Sequence, residues 1–162
     1  MSNPLPELLP GDTFIYGRAE IYDLAICIKT WCWDACHVEI YAGDGMSMAS
    51  RNGKGVNLYP FRREQLTYVR RPNMTFNYAN GRKWFNDVAR GQKYDWLGLL
   101  CFTLAVKQGS PNKMFCSEFW KNFFHETGLD VIAPEWSADA TAPAQCRHTP
   151  VLTTIWQAQP FA

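Results

Sequence analysis

Apolar residues recur at intervals of three and four in the stretch NKMFCSEFWKNFFHETG, residues 112–128. This spacing places them on one face of a helix. The face comprises Phe115, Phe119, Trp120, Phe123, Phe124 and Thr127. Glycine commonly follows the last turn of a helix, so Gly128 predicts its end. The pattern predicts that the helix begins at about Cys116.

A different period governs residues 37–42, where polar and apolar side chains alternate strictly. Alternation is typical of a strand with one buried face, and it places His37 and Glu39 on the same face. The Gly-Asp-Gly sequence at 43–45 contains a strong hairpin signal. A partner strand is therefore expected at 46–50.

The remaining pattern completes an α+β domain. Further strands are predicted at 13–16, 56–59, 66–70 and 152–156, and helices at 21–33, 77–90 and 96–106. In the 77–90 helix the expected buried positions are Tyr78, Trp84, Phe85 and Val88. Asp95 is expected to cap the 96–106 helix, which reads as buried and is shorter than the roughly 20 residues that span a membrane. We expect a small antiparallel sheet, curled or barrel-like, followed by packed helices.

The length and the net charge of the chain limit the classes of function that it could have. The chain has 162 residues and a net charge of +1, which fits one domain over 1–162 and gives no electrostatic case for nucleic acid or an anionic membrane. Its first residues, MSNPLPELLPGD, lack the basic and apolar regions of a signal peptide. We expect a cytoplasmic protein as synthesised, which would reach a cell wall only by a phage or secretion route.

The six cysteines are expected to be reduced, because disulfides are typical of exported chains. Cys27, Cys32, Cys36 and His37 suggest zinc, whose ligands are thiolate and imidazole. Their spacing differs from the usual two-residue knuckle, and no second Cys/His pair follows at a typical distance. No metal or cofactor is therefore expected.

Cys116 is the candidate nucleophile. A thiol at a helix N-terminus is favoured as thiolate by the helix dipole and by unpaired N–H groups. The alternative is a small buried apolar residue, since free cysteine is often buried. A nucleophile needs a base close in space. His125 lies too far along the same helix, and His148 falls in a proline-flanked tail. His37 begins a strand on the face that also carries Glu39; taken alone, it is better explained as an ordinary strand histidine than as a base.

Five segments of the chain together resemble a known family. They are PGD at 10–12, HVEIYAGDG at 37–45, GKGV at 53–56, QKYDWLGLL at 92–100 and FCSEFW at 115–120. In this order they resemble the papain-like NlpC/P60 superfamily. The resemblance is strongest to its circularly permuted branch, which includes the YiiX-like proteins and is related to the lecithin:retinol acyltransferase group. Ordinary members place the cysteine helix first, whereas here His37 precedes Cys116. The resemblance implies a permuted papain-like fold.

The resemblance also implies roles for single residues. Cys116 would attack a carbonyl carbon, and His37 would hold the thiolate as an ion pair before protonating the leaving group. The hydroxyl of Tyr94, together with the backbone N–H at Cys116, would stabilise the oxyanion. Tyr94 is equally well explained as a core aromatic. Glu118 matches the family's CSE triplet, and a structural role in the first helical turn is expected for it.

Two positions depart from the family pattern. Relatives orient the histidine with a polar residue on the next strand, where this chain has Met48, which cannot accept the imidazole N–H with useful strength. Glu39 or Asp34 would have to replace it; otherwise the enzyme would be slow or the site inactive. Cys36 stands where relatives often have serine, and it is expected to point away from the site and serve packing.

These observations favour a cysteine hydrolase that cleaves an amide bond, and the expected substrate is a peptidoglycan-type peptide. One alternative is an acyltransferase or a lipid or thioester hydrolase that uses the same two residues. It is motivated by the apolar run 96–106 and by an aromatic content of 15%. The other alternative is a non-catalytic binding domain, favoured by Met48. The expected partner is a peptide or acyl substrate, and the sequence does not identify a partner protein.

Overall fold

The computed structural model describes residues 3–17, 34–97, 112–133 and 141–158. Its strands are β1 (Thr13–Tyr16), β2 (His37–Gly43), β3 (Met46–Arg51), β4 (Gly55–Pro60), β5 (Leu66–Pro72), β6 (Lys93–Tyr94), β7 (Lys113–Met114) and β8 (Leu152–Gln157). Its helices are α1 (Tyr78–Trp84), which continues as a π-helical segment (Phe85–Ala89), α2 (Cys116–Glu126) and α3 (Pro143–His148).

Six strands form one sheet in the order β4-β3-β2-β1-β5-β8, and all neighbouring strands are antiparallel. The strands expected from alternation and turn signals are confirmed. Within the described residues β4 and β8 are the edges of this sheet, so it is open and not closed into a barrel. The chain is therefore α+β, with its first half mostly sheet.

Helix α2 packs against β2 and β3 and fills the larger core. Its predicted face is buried: Phe119, Trp120, Phe123 and Phe124 are each 0% exposed. The indole Nε1–H of Trp120 donates to the hydroxyl of Thr13 at 3.0 Å, which ties the helix to β1. The predicted start at Cys116 is confirmed, and Gly128 has a φ of +81° just after the helix.

A short parallel ladder, β6 with β7, carries the chain into α2. It pairs Lys93 with Lys113 and Tyr94 with Met114. The ladder is held to β4 because the N–H of Val56 donates to the carbonyl of Gln92 at 2.8 Å. Gly55 permits this approach: its φ is +72°, and a Cβ there would lie 2.2 Å from the Gln92 oxygen. Two-residue strands are too short to show a period, so the sequence did not predict them.

The structure corrects three expectations about helices. Val88 is 53% exposed, while Ala89 is buried, because the π-helical segment adds one residue to the turn and the N–H of Arg90 bonds the carbonyl of Phe85. Helix α3 was not predicted, because six residues are too few to show a helical period; Pro143 stands in its first turn, where proline is tolerated. Trp96, expected to be buried, is 43% exposed.

Two other expectations are tested only in part. The predicted helix at 21–33 and most of that at 96–106 lie outside the described residues. In the part of the chain that is described, no helix has the length and apolarity needed to span a membrane.

Candidate active site

Cys116 is the first residue of α2 and is 1% exposed. The carboxylate of Glu118 accepts the N–H of Phe115 at 3.4 Å and so closes the first turn. This contact gives Glu118 the structural role expected for it. The thiol therefore sits where the helix dipole favours a negative charge.

His37 is the first residue of β2, and its side chain is 12% exposed. Its Nε2 lies 3.0 Å from Oε1 of Glu39, so Nδ1 is the ring nitrogen left for the Cys116 thiol. Burial opposes the imidazolium, but the charge and hydrogen bond of Cys116, followed by those of Glu39, outweigh it. Together they raise the pKa of His37 to about 10.

Glu39 is fully buried, at 0% exposed. Arg51 binds it with both arms of its guanidinium, Nε to Oε1 at 2.7 Å and Nη2 to Oε2 at 3.0 Å. The hydroxyl of Ser47 donates to Oε2 at 2.5 Å and that of Tyr16 at 3.4 Å. Burial would raise the pKa of Glu39, but the bonds and charges of His37 and Arg51 hold it well below its usual range. Glu39 is therefore a carboxylate at neutral pH.

Two arginines complete the surroundings of this carboxylate. Arg51 is itself fixed, because its guanidinium lies 4.4 Å from the ring centroid of Tyr59 and Nη2 donates to the carbonyl of Pro60 at 3.1 Å. Arg62 contributes a longer contact to Glu39 of 3.4 Å. The sequence prediction missed both arginines. The available signal was Glu39 itself, since a carboxylate on a strand face that becomes buried requires a cation.

The structure distinguishes between the two carboxylates considered as partners of His37. Asp34 accepts hydrogen bonds from the hydroxyl of Tyr68 at 2.7 Å and from Arg147 at 2.8 Å. Glu39 is the carboxylate that contacts the imidazole. Met48 pairs with Ile40 and is 0% exposed in the core. The residue that contacts His37 therefore comes from its own strand and not from the next one.

The other residues singled out in the sequence lie at different distances from the thiol. Tyr94 is 9% exposed and aligned with Met114, two positions before Cys116. It therefore lies beside the segment that leads to the thiol, and its oxyanion role stays a prediction. His125 points outward: its side chain is 69% exposed, and it pairs with Asp130.

The described cysteines match the expectation of reduced thiols at two positions and depart from it at one. Cys36 is buried and disulfide-bonded, so it does more than pack. Cys116 and Cys146 are free. Cys146 was not predicted to matter, but it is 0% exposed, and burial followed by the charge of Cys116 raises the pKa of its thiol.

Of the four residues considered for zinc, Cys27 and Cys32 lie outside the described residues, and the surroundings of Cys36 and His37 do not suit the metal. A disulfide sulfur is not a thiolate ligand, and Nε2 of His37 already faces a carboxylate. Among the described residues, no three of the side chains of His, Cys, Asp or Glu come together as metal ligands would.

Comparison with known proteins gives a likeness in fold. No protein-family profile matches the chain, and no curated protein matches it in sequence. A solved structure, described as that of the metalloprotein YiiX from Escherichia coli O157:H7, matches with a TM-score of 0.69 at 15% sequence identity. The match covers 93% of this chain and 98% of that one. The chain thus has a YiiX-like fold, in line with the branch that its motifs resemble.

Proposed function

We propose that this protein is a cysteine hydrolase that cleaves an amide bond in a peptidoglycan-type peptide, and that its fold is a permuted papain-like one of the NlpC/P60 kind. One observation carries the proposal: a thiol at a helix N-terminus faces an imidazole whose other nitrogen lies 3.0 Å from a buried carboxylate. Nucleophile, base and orienting group in this order form the constellation that activates a nucleophile.

The chemistry follows from these positions. The Cys116 thiolate attacks the carbonyl carbon, and the C–N bond breaks as the His37 imidazolium gives its proton to the leaving amine. His37 then takes a proton from water, whose oxygen attacks the thioester and releases the acid and the thiolate. Glu39 stays ionised and stabilises the imidazolium throughout. We expect the backbone N–H at Cys116 and the hydroxyl of Tyr94 to stabilise the oxyanion.

Alkylation of Cys116 over a range of pH tests the nucleophile without a substrate. We expect the wild type to react with iodoacetamide well below the free-thiol pKa of about 8.5, and His37→Ala to lose that reactivity. His125→Ala is the matched control, because its imidazole is on the surface. Mass spectrometry distinguishes Cys116 from Cys146. Equal titration in wild type and His37→Ala would contradict the proposal and favour a non-catalytic binding domain.

Hydrolysis of peptidoglycan-type peptides then tests the substrate class. Turnover is expected in the wild type and not in Cys116→Ser. A Cys146→Ser variant controls for loss of a buried thiol. Cleavage that survives in Cys116→Ser would refute Cys116 as nucleophile.

Acyl transfer is the second candidate function, and one observation favours it. Trp96 and Leu97 are 43% and 50% exposed next to Tyr94, and adjacent exposed apolar side chains are typical of a surface that contacts apolar ligands. The covalent intermediate is a thioester in both cases. Retention of a labelled acyl chain on an acceptor amine or alcohol, in place of release to water, would support the transferase.

A further inference from the structure

A positively charged cavity lies on the chain segment that enters the candidate active site. It has a volume of about 520 Å³ and is lined by Arg90, Gly91, Gln92, Lys93, Asn112 and Lys113. Three of these six residues carry a positive charge, and none is acidic. The six residues belong to two segments, one before β6 and one at β7, that the parallel ladder joins.

The two lysines are held side by side by backbone pairing. Lys93 and Lys113 are partners in the parallel ladder, and partnered residues of neighbouring strands point to the same side. Tyr94 and Met114, the next pair, are buried, which turns both lysines toward the cavity and solvent. Like charges directly opposite each other in a sheet are unfavourable. An anion between the two ammonium groups would remove this repulsion.

No acidic side chain neutralises the three cations in the described part of the chain. The ion pairs found there do not include Arg90, Lys93 or Lys113. Arg90 uses its Nε to donate to the amide oxygen of Asn57 at 3.1 Å, which orients the guanidinium. Asp95, two residues after Lys93, is 1% exposed and so withdrawn from the surface, and Asp87, three residues before Arg90, pairs with Lys83.

The residues that line the cavity are close to Cys116 along the chain. Lys113 precedes Cys116 by three residues, and extended chain advances roughly 3.3 Å per residue, so the Cα atoms of these two residues are at most about 10 Å apart. An occupant whose negative group lies between the lysines needs a span of about 10 Å to bring a carbonyl to the thiol. Along the chain the cavity is therefore close enough to the thiol to be considered as a substrate subsite.

We propose that this cavity binds an anionic group, a carboxylate or a phosphate, of the molecule whose carbonyl Cys116 attacks. The identity of the occupant rests on the proposed function. The negative charge expected for the occupant rests on the cavity alone. The cavity would select acidic substrates over neutral ones of the same length. A carboxylate would come from an acidic peptide, and a phosphate from a phosphorylated acyl donor.

Anion binding is tested without catalysis by following the melting temperature and by isothermal titration with inorganic phosphate and with tricarballylate. Sodium chloride at equal ionic strength controls for screening. We expect saturable binding of at least one of the two anions. Preference for phosphate would support a phosphorylated occupant and preference for tricarballylate a carboxylated one. Absence of saturable binding by either would overturn the inference.

The double variant Lys93→Gln, Lys113→Gln tests the location of the site. We expect its affinity for the anion to fall at least about tenfold, because charge-assisted contacts are lost. Without anion it should melt no lower than the wild type, since the repulsion is gone. The matched control, Lys83→Gln with Lys121→Gln, removes the same charge elsewhere and should bind as the wild type does. Equal affinities in the two double variants would overturn the inference.

The inference and the proposed function can fail separately. Cys116→Ser keeps the cavity and should bind the anion as the wild type does. An unreactive thiol in a protein that binds the anion would refute the hydrolase and leave the subsite. A reactive thiol in a protein that binds neither anion would refute the subsite and leave the hydrolase.

Discussion

Replacing Glu39 by glutamine tests the electrostatics of the site most directly, because the substitution keeps the shape of the side chain and removes its charge. The pKa of His37 is raised from 6.5 to about 10, which corresponds to about 5 kcal/mol of net stabilisation of the imidazolium at 1.36 kcal/mol per unit. A carboxylate in contact accounts for about one to three units. We therefore expect the pKa of His37 to fall to about 7–9 in the variant.

Histidine ring NMR as a function of pH gives this value directly, since the chain has only three histidines. Asp130→Asn is the matched control. It removes a carboxylate 2.9 Å from His125, but both side chains are largely exposed, and we expect no change at His37. A wild-type His37 that titrates near its ordinary value, or a pKa unchanged in Glu39→Gln, would refute the reasoning.

The Glu39→Gln variant is expected to be less stable than the wild type, because it leaves Arg51 without its counter-charge. Breaking a buried ion pair from one side costs about 3–5 kcal/mol, so the fold is verified first by thermal denaturation. Glu39→Asp serves as a second variant: it keeps the charge and shortens the side chain. We expect for it a pKa of His37 between those of the wild type and Glu39→Gln.

Three further predictions concern stability. The raised pKa of His37 gives the fold a contribution to stability that is fully present below pH 6.5 and is lost as pH rises through about 10. The melting temperature should therefore fall across that window, and it should fall less in His37→Ala. Gly81→Ala would place a Cβ 2.6 Å from a methyl group of Thr127; unfolding in urea should show a loss of about 1–3 kcal/mol, and an unchanged midpoint would contradict the packing. Arg70→Met removes the donors to four backbone carbonyls, among them those of Thr149 and Leu152. The same measurement should show a loss of at least about 2 kcal/mol, and a smaller one would mean that water replaces the guanidinium.

The local pattern of apolar and polar residues was sufficient to predict the longer helices and strands. The aromatic face of α2 and the alternation of β2 predicted both segments, because burial of one face imposes a period of 3.6 or 2 on the sequence. The same reasoning failed at Val88, where one extra residue in the turn rotates the buried face. It also failed at Pro143–His148, because six residues are too few to show a helical period.

The sequence by itself determined the helix that begins with Cys116 and the strand face shared by His37 and Glu39, since each depends only on residues near in the chain. Only the tertiary structure decided that Glu39 is buried against Arg51 and that Lys93 lies beside Lys113. These contacts join residues that are 12 and 20 positions apart. Charges become paired or crowded through the packing of separate strands, and no local period encodes which ones will meet.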